Sequence, residues 1–74
     1  MKILVAREFD TNRFEKVGVF SVRMDGTMSL PMRYNGTMEA HFIRAGARHL
    51  LDESAAQSVD LRFGSSPTWR IHRI

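Results

Sequence analysis

The stretch from Thr37 to Asp52 constrains the fold most, because it is the only segment with a clear helical period. At 100° per residue, one half of such a helix is mostly apolar and the other half carries basic and polar side chains. Thr37 offers the hydroxyl of a good N-cap, and Glu39 lies near the positive end of the helix dipole. A helix of about four turns cannot bury its apolar face alone, so we expect it to pack on a sheet.

The chain before this helix alternates or turns. Residues 3–8 and 14–24 predict two strands joined by a turn at residues 10–12. Asp25-Gly26 is a dipeptide preferred in two-residue hairpins, so we expect a third strand over residues 27–34 that pairs with the second. Pro31 has no N–H to donate, which predicts that the third strand is an edge of the sheet.

The register of this predicted hairpin assigns side chains to faces. Val17 and Val19 share the helix-facing side with the apolar positions of the third strand, Met28, Leu30, Met32 and Tyr34. Phe20, Val22 and Met24 then point to the far side. Either another part of the molecule covers them, or they form an exposed apolar strip, a kind of surface that other chains use.

Residues 59–63 and 69–73 also alternate and predict a second hairpin, with a loop over residues 64–68. This loop length pairs Phe63 with Trp69 and Leu61 with Ile71, which gives one apolar face. The other face then carries Arg62 opposite Arg70 and Asp60 opposite His72.

These elements predict one α+β domain over residues 1–74, with a mostly antiparallel sheet and one amphipathic helix packed on it, in the order β-β-β-α-β-β. We expect the helix and the sheet to share a single core. Its predicted members are Val17, Val19, Leu30, Met32, Phe42, Ile43, Leu50, Leu61 and Ile71.

Composition narrows the class of protein. The absence of cysteine excludes disulfides, thiolate metal sites and a cysteine nucleophile. The apolar run at residues 3–6 is far too short for a signal peptide or a membrane span, so we expect a cytoplasmic protein without membrane contact. The net charge is +3 and nine residues are arginine, which suits an anionic partner, although the charges are spread along the chain.

Side chains capable of catalysis are present but not arranged in a known pattern. His41 and His49 are separated by about 12 Å along a helix, too far to share a zinc ion. Most carboxylates fall at turns or helix ends, where acidic side chains favour local structure. No nucleophile elbow, phosphate loop or dinucleotide motif occurs. We therefore expect no catalytic residue, metal site or cofactor, and a protein that is not an enzyme.

Two basic surfaces are predicted. The helix stripe, defined as His41, Arg44 and Arg48, lies on the polar half of the helix, and with Phe20 and Val22 it is the predicted partner-binding surface. The hairpin surface, defined as Arg62, Arg70, His72 and Arg73, is the candidate for nucleic acid, since cations hold phosphates and a nearby Trp69 can stack on bases. The alternative for both is a solvated face, with Trp69 in the core and Arg48 paired with Asp52.

These features favour a small non-enzymatic binding protein that docks on a larger protein or nucleoprotein assembly. Short chains without motifs are often regulators or inhibitors, including phage or mobile-element proteins of the anti-CRISPR type; that suggestion comes from size class alone. The alternative is a nucleic-acid-binding module that uses the arginine surfaces. A structural homodimer is a third hypothesis, and the sequence leaves monomer or homodimer open.

Overall fold

The computed structural model describes all 74 residues and confirms the α+β class. Four strands, one short 3-10 turn and one α-helix follow one another: β1 Lys2–Asp10, β2 Arg13–Ser21, the 3-10 turn Met32–Tyr34, α1 Met38–Asp52, β3 Ser58–Leu61 and β4 Trp69–Arg73. The sheet is antiparallel throughout, in the order β2-β1-β4-β3. The strands nearest the two ends of the sequence therefore lie in its centre.

The hairpin of β1 and β2 forms as predicted, but it contains a bulge that the alternation did not reveal. Val5 is opposite Gly18 and Ala6 is opposite Lys16, so Val17 is the extra residue. A bulge moves every later side chain to the other face of the sheet. Val17 accordingly packs against the core, whereas Val19 is exposed on the far face; its predicted place in the core is wrong.

The third strand predicted over residues 27–34 does not exist. Gly26 has the positive φ (88°) expected of a turn glycine, but the turn closes only a local loop in which the Arg23 N–H donates to the Thr27 carbonyl, 2.9 Å. The Asp25 carboxylate accepts the Thr27 N–H at 2.9 Å, a local bond that competes with strand pairing. Residues 22–36, called the covering segment below, leave the sheet after β2.

The covering segment contributes to the core instead of to the sheet. Val22, Met28 and Tyr34 are buried in the same cluster as the helix, and Leu30 packs against it. Met32 lies in the 3-10 turn and is exposed, so its predicted burial is wrong. A 3-10 turn does not preserve the two-residue alternation on which that prediction depended.

The helix is the best-predicted element. The Thr37 hydroxyl accepts the Ala40 N–H at 3.2 Å, and the buried face consists of Phe42, Ile43, Gly46, Ala47 and Leu50. It packs on β3 and β4, where a Cβ on Gly46 would lie 2.7 Å from the Ile71 side chain, so glycine allows the close approach. Ile3 and Val5 of the central strand β1 are fully buried, although the predicted core omitted them.

The second hairpin has a different register from the predicted one. Leu61 pairs with Trp69 and Val59 with Ile71, a shift of two residues, so Asp60 faces Arg70. A shift of two preserves the faces, and Trp69 is buried at 4% exposure, which agrees with the alternative that placed it in the core. Phe63, however, lies outside the sheet at 72% exposure. The structure contains no helix with the length and apolarity needed to cross a membrane.

Candidate functional site

The helix stripe is exposed, as its position on the polar half of the helix predicted. Two of its side chains also bind the covering segment. Arg44 Nη1 donates to the Met28 carbonyl at 3.1 Å, and Arg48 Nη2 donates to the Asp25 carbonyl at 2.9 Å. The predicted Arg48–Asp52 pair is present at 3.8 Å, with both side chains more than half exposed, so it is a weak surface interaction.

These bonds fix the guanidinium groups without neutralising them. A backbone carbonyl carries no net charge, and a guanidinium has five N–H donors, so one bond leaves most of its donors available. A side chain already held in place loses less conformational freedom when it meets a partner. Arg44 and Arg48 are therefore pre-positioned cations on a convex helix face.

The predicted exposed strip on the far side of the sheet is wrong. Val22 is buried at 3% exposure, and Phe20 is half-buried with its ring edge-on to Tyr34, 6.3 Å between centroids. Only Met24 is exposed, at 94%. The cause is again the bulge at Val17, which turns Phe20 toward the helix side, where the covering segment packs on it.

The four residues of the predicted hairpin surface do not form one continuous surface in the structure. Arg70 forms a bidentate pair with Asp60, with both bonds at 2.9 Å, and its guanidinium lies 4.0 Å from the Phe14 ring centroid. The hydrogen bond from Arg70 lowers the pKa of Asp60 and raises that of Arg70. His72 is half-buried between its cross-strand neighbours Leu4 and Ser58.

Arg73 points to the opposite face from Arg70 and has a structural partner. It donates to the carbonyls of Leu50, in the last turn of the helix, and of Ala56. A cation at this position satisfies orphan carbonyls and complements the negative end of the helix dipole. Its predicted role in a nucleic-acid surface is therefore not supported by its position.

Arg62 differs from every other arginine of the chain, because it makes no hydrogen bond, ion pair or ring contact. The others contact carboxylates, hydroxyls, carbonyls or aromatic rings: Arg7, Arg13, Arg23, Arg33, Arg44, Arg48, Arg70 and Arg73. Sequence reasoning placed Arg62 opposite Arg70; the shifted register separates them.

Arg62 borders an open groove of about 490 Å³ between the start of α1 and the loop after β3, which is called the α1–β3 groove below. The helix wall is formed by Met38, His41, Phe42 and Ala45, and the other wall by Leu61, Arg62 and Phe63. Met38 is 54% exposed and Phe63 is 72% exposed, so the groove presents apolar surface to water.

Sequence reasoning missed this groove because it assigned Phe63 to the sheet. The register that paired Phe63 with Trp69 removed it from the surface. The sequence does contain one indication of the groove: Met38 lies at the edge of the apolar half of the helix. Met38 would be covered only if β3 continued alongside it. The strand ends at Leu61, and Met38 is exposed.

The remaining electrostatic features belong to turns. The pKa of Glu8 is lowered chiefly by the Asn12 N–H that it accepts, and the pKa of Asp25 chiefly by the Thr27 hydroxyl. No three histidine or acidic side chains cluster in a way that suits a metal ion. None of the groups with a shifted pKa lines the α1–β3 groove.

Comparison with known proteins gives no further identification: no family model, curated protein or solved structure matches this chain.

Proposed function

We propose that this chain is a small non-catalytic binding protein that docks on a larger protein or nucleoprotein assembly and thereby modulates or inhibits it. The observation that supports this most is the helix stripe: Arg44 and Arg48 are fixed by covering-segment carbonyls and remain charged on an exposed face. Convex basic surfaces suit a complementary acidic surface on a macromolecule, whereas a small substrate needs a concave site.

Direct nucleic-acid binding through the hairpin surface has less support. Arg70 is neutralised by Asp60, and Arg73 lies on the other face of the sheet against the end of the helix. The electrostatic part of nucleic-acid affinity accumulates over several phosphates, each neutralised by an available cation. The positions of these arginines therefore favour a protein partner over direct contact with nucleic acid.

The test uses the tagged protein as bait in a lysate of its source cell, once with and once without nuclease treatment, followed by quantification of the captured partner. The double variant Arg44→Glu, Arg48→Glu reverses the charge of the stripe, and we expect it to reduce capture at least about tenfold by placing like charges in register.

The matched control is Arg44→Lys, Arg48→Lys. Lysine keeps the positive charge but loses the planar fork that holds the carbonyls. We expect this control to retain capture. If both double variants lose the partner equally, the covering segment and not the charge is required. If neither loses it, the stripe is only solvated surface and the proposed contact is wrong. Capture of nucleic acid alone would favour the alternative.

A further inference from the structure

We infer that the α1–β3 groove binds an acidic peptide segment of a protein partner, with an apolar side chain seated between Met38 and Phe63 and a carboxylate on Arg62. This inference deepens the proposed function and rests on its premise that the partner is a protein. The groove is a second surface that adjoins the helix stripe and shares His41 with it.

The apolar part of the groove has the composition of an anchor site. Phe42 and Leu61 form its inner part, and the exposed side chains of Met38 and Phe63 flank them. Methionine adapts its shape to different partners, and a large ring supplies contact area with few rotatable bonds. Covering these side chains removes apolar surface from water, which is the main driving force of association.

The charged residues that line the groove indicate the charge of the peptide that it binds. Its lining contains Arg62 and His41 and no acidic residue. Arg62 also borders a concavity that holds Glu8 and Asp10, and its charge is the smallest of the causes that lower the pKa of Glu8. No carboxylate of the chain forms an ion pair with it. A free guanidinium fork accepts a carboxylate through two parallel hydrogen bonds.

The same observations disfavour the other occupants. One free guanidinium neutralises about one phosphate, whereas nucleic-acid affinity accumulates over several contacts. A second copy of the chain carries the same net charge of +3, which does not favour its approach, and the groove would need an acidic surface that faces it. An acidic peptide satisfies both the apolar wall and the cation.

The five methionines provide a direct readout. In a protein with ¹³C-labelled methionine methyl groups, Met38 reports on the groove, while Met24 and Met32 are exposed elsewhere and serve as internal controls. The probe is a short capped peptide with two central leucines flanked by glutamates. Its matched control has lysine in place of each glutamate, and a third probe is a short oligothymidylate.

We expect the acidic peptide to shift the Met38 methyl resonance saturably, with Met24 and Met32 unchanged. The lysine peptide should bind at least about tenfold more weakly, because it loses the charge-assisted hydrogen bonds to Arg62. Arg62→Glu should weaken the acidic peptide by a similar factor. Lys16→Glu makes the same charge change at an exposed position on β2, away from the groove, and should leave affinity within about twofold.

Several results would overturn the inference. The first is no shift of the Met38 resonance with the acidic peptide, and the second is equal shifts with both peptides. The third is an equal loss of affinity for the acidic peptide in Arg62→Glu and Lys16→Glu. A stronger effect of oligothymidylate would assign the groove to nucleic acid, and a Met38 shift on concentration alone would assign it to a second copy. If peptides fail while the glutamate double variant still loses its captured partner, the proposed function stands and this inference falls.

Discussion

The two sides of the helix differ in how their cations are used. On one side, Arg44 and Arg48 bind carbonyls of the covering segment, which packs its apolar side chains into the core. On the other side, Arg62 has no partner and Met38 and Phe63 remain exposed along the α1–β3 groove. On the first side the arginines hold a segment of the chain and keep further donors for a partner. On the second side the cation makes no contact within the chain, so a partner alone can use it.

The core that both sides share gives the largest expected effect. Leu50 is fully buried on the helix, and Leu50→Ala should lower the free energy of unfolding by about 2–5 kcal/mol through lost burial and a cavity. A domain this small is marginally stable, so this loss approaches its whole stability. Chemical denaturation measures it, and Met24→Ala, at a 94% exposed position, should change stability by less than about 0.5 kcal/mol. A loss below about 1 kcal/mol for Leu50→Ala would mean that the packing face is misassigned.

A comparison of two turn glycines, one on each side, tests the contribution of the Arg48 bond to stability. Both have positive φ, 88° at Gly26 and 59° at Gly64, so alanine strains either backbone by about 1–2 kcal/mol. At Gly26 a Cβ would also collide with the Arg48 guanidinium, whereas nothing lies within 4 Å at Gly64. We expect Gly26→Ala to cost about 1 kcal/mol more, because it displaces the Arg48 bond. Equal losses in thermal unfolding would show that this bond contributes nothing.

Removing one arginine on each side tests the contrast directly. Arg44→Met deletes the donor to the Met28 carbonyl and should cost about 1–2 kcal/mol. Arg62→Met removes a side chain without a partner and should leave stability within about 0.5 kcal/mol. Methionine keeps a similar length in both variants. If Arg62→Met were as destabilising as Arg44→Met, Arg62 would have a structural role and would not be free for a partner.

The smallest effect is expected on the uncovered face of the sheet, where Arg70 lowers the pKa of Asp60. A carboxyl whose folded pKa is lowered contributes stability above its unfolded pKa, and the contribution is lost as pH falls through the folded value. Both side chains are nearly half exposed, at 46% and 45%, so the contribution should be well under 1 kcal/mol. Asp60→Asn should therefore reduce stability slightly at pH 7, and the difference should shrink as pH falls below the ordinary aspartate pKa of 3.8. A difference that grew toward low pH would contradict this assignment.

The sequence predicted the elements whose signal is local and periodic. The helix, its N-cap and its buried face all followed from residues 37–52. The sheet partners did not, because pairing depends on residues far apart and on single irregularities. One bulge at Val17 reversed the faces of Val19 and Phe20, and one local bond at Asp25 replaced the predicted hairpin. The exposure of the helix stripe was predicted correctly. The groove was not predicted, because it exists only where β3 ends, and the alternation of apolar and polar residues does not show where a strand ends.

The central position of β1 and β4 has a consequence for how the chain folds. Ile3 pairs with Arg73 and Val5 with Ile71, so the middle of the sheet joins residues from opposite ends of the sequence. Long-range pairing of this kind delays folding, because a large loop must close before the contacts that stabilise it form. During synthesis β1 and β2 emerge before β4, the strand that pairs with the inner edge of β1. Stable structure must await the emergence of β4, and until then the hairpin exposes an edge that is prone to wrong pairing.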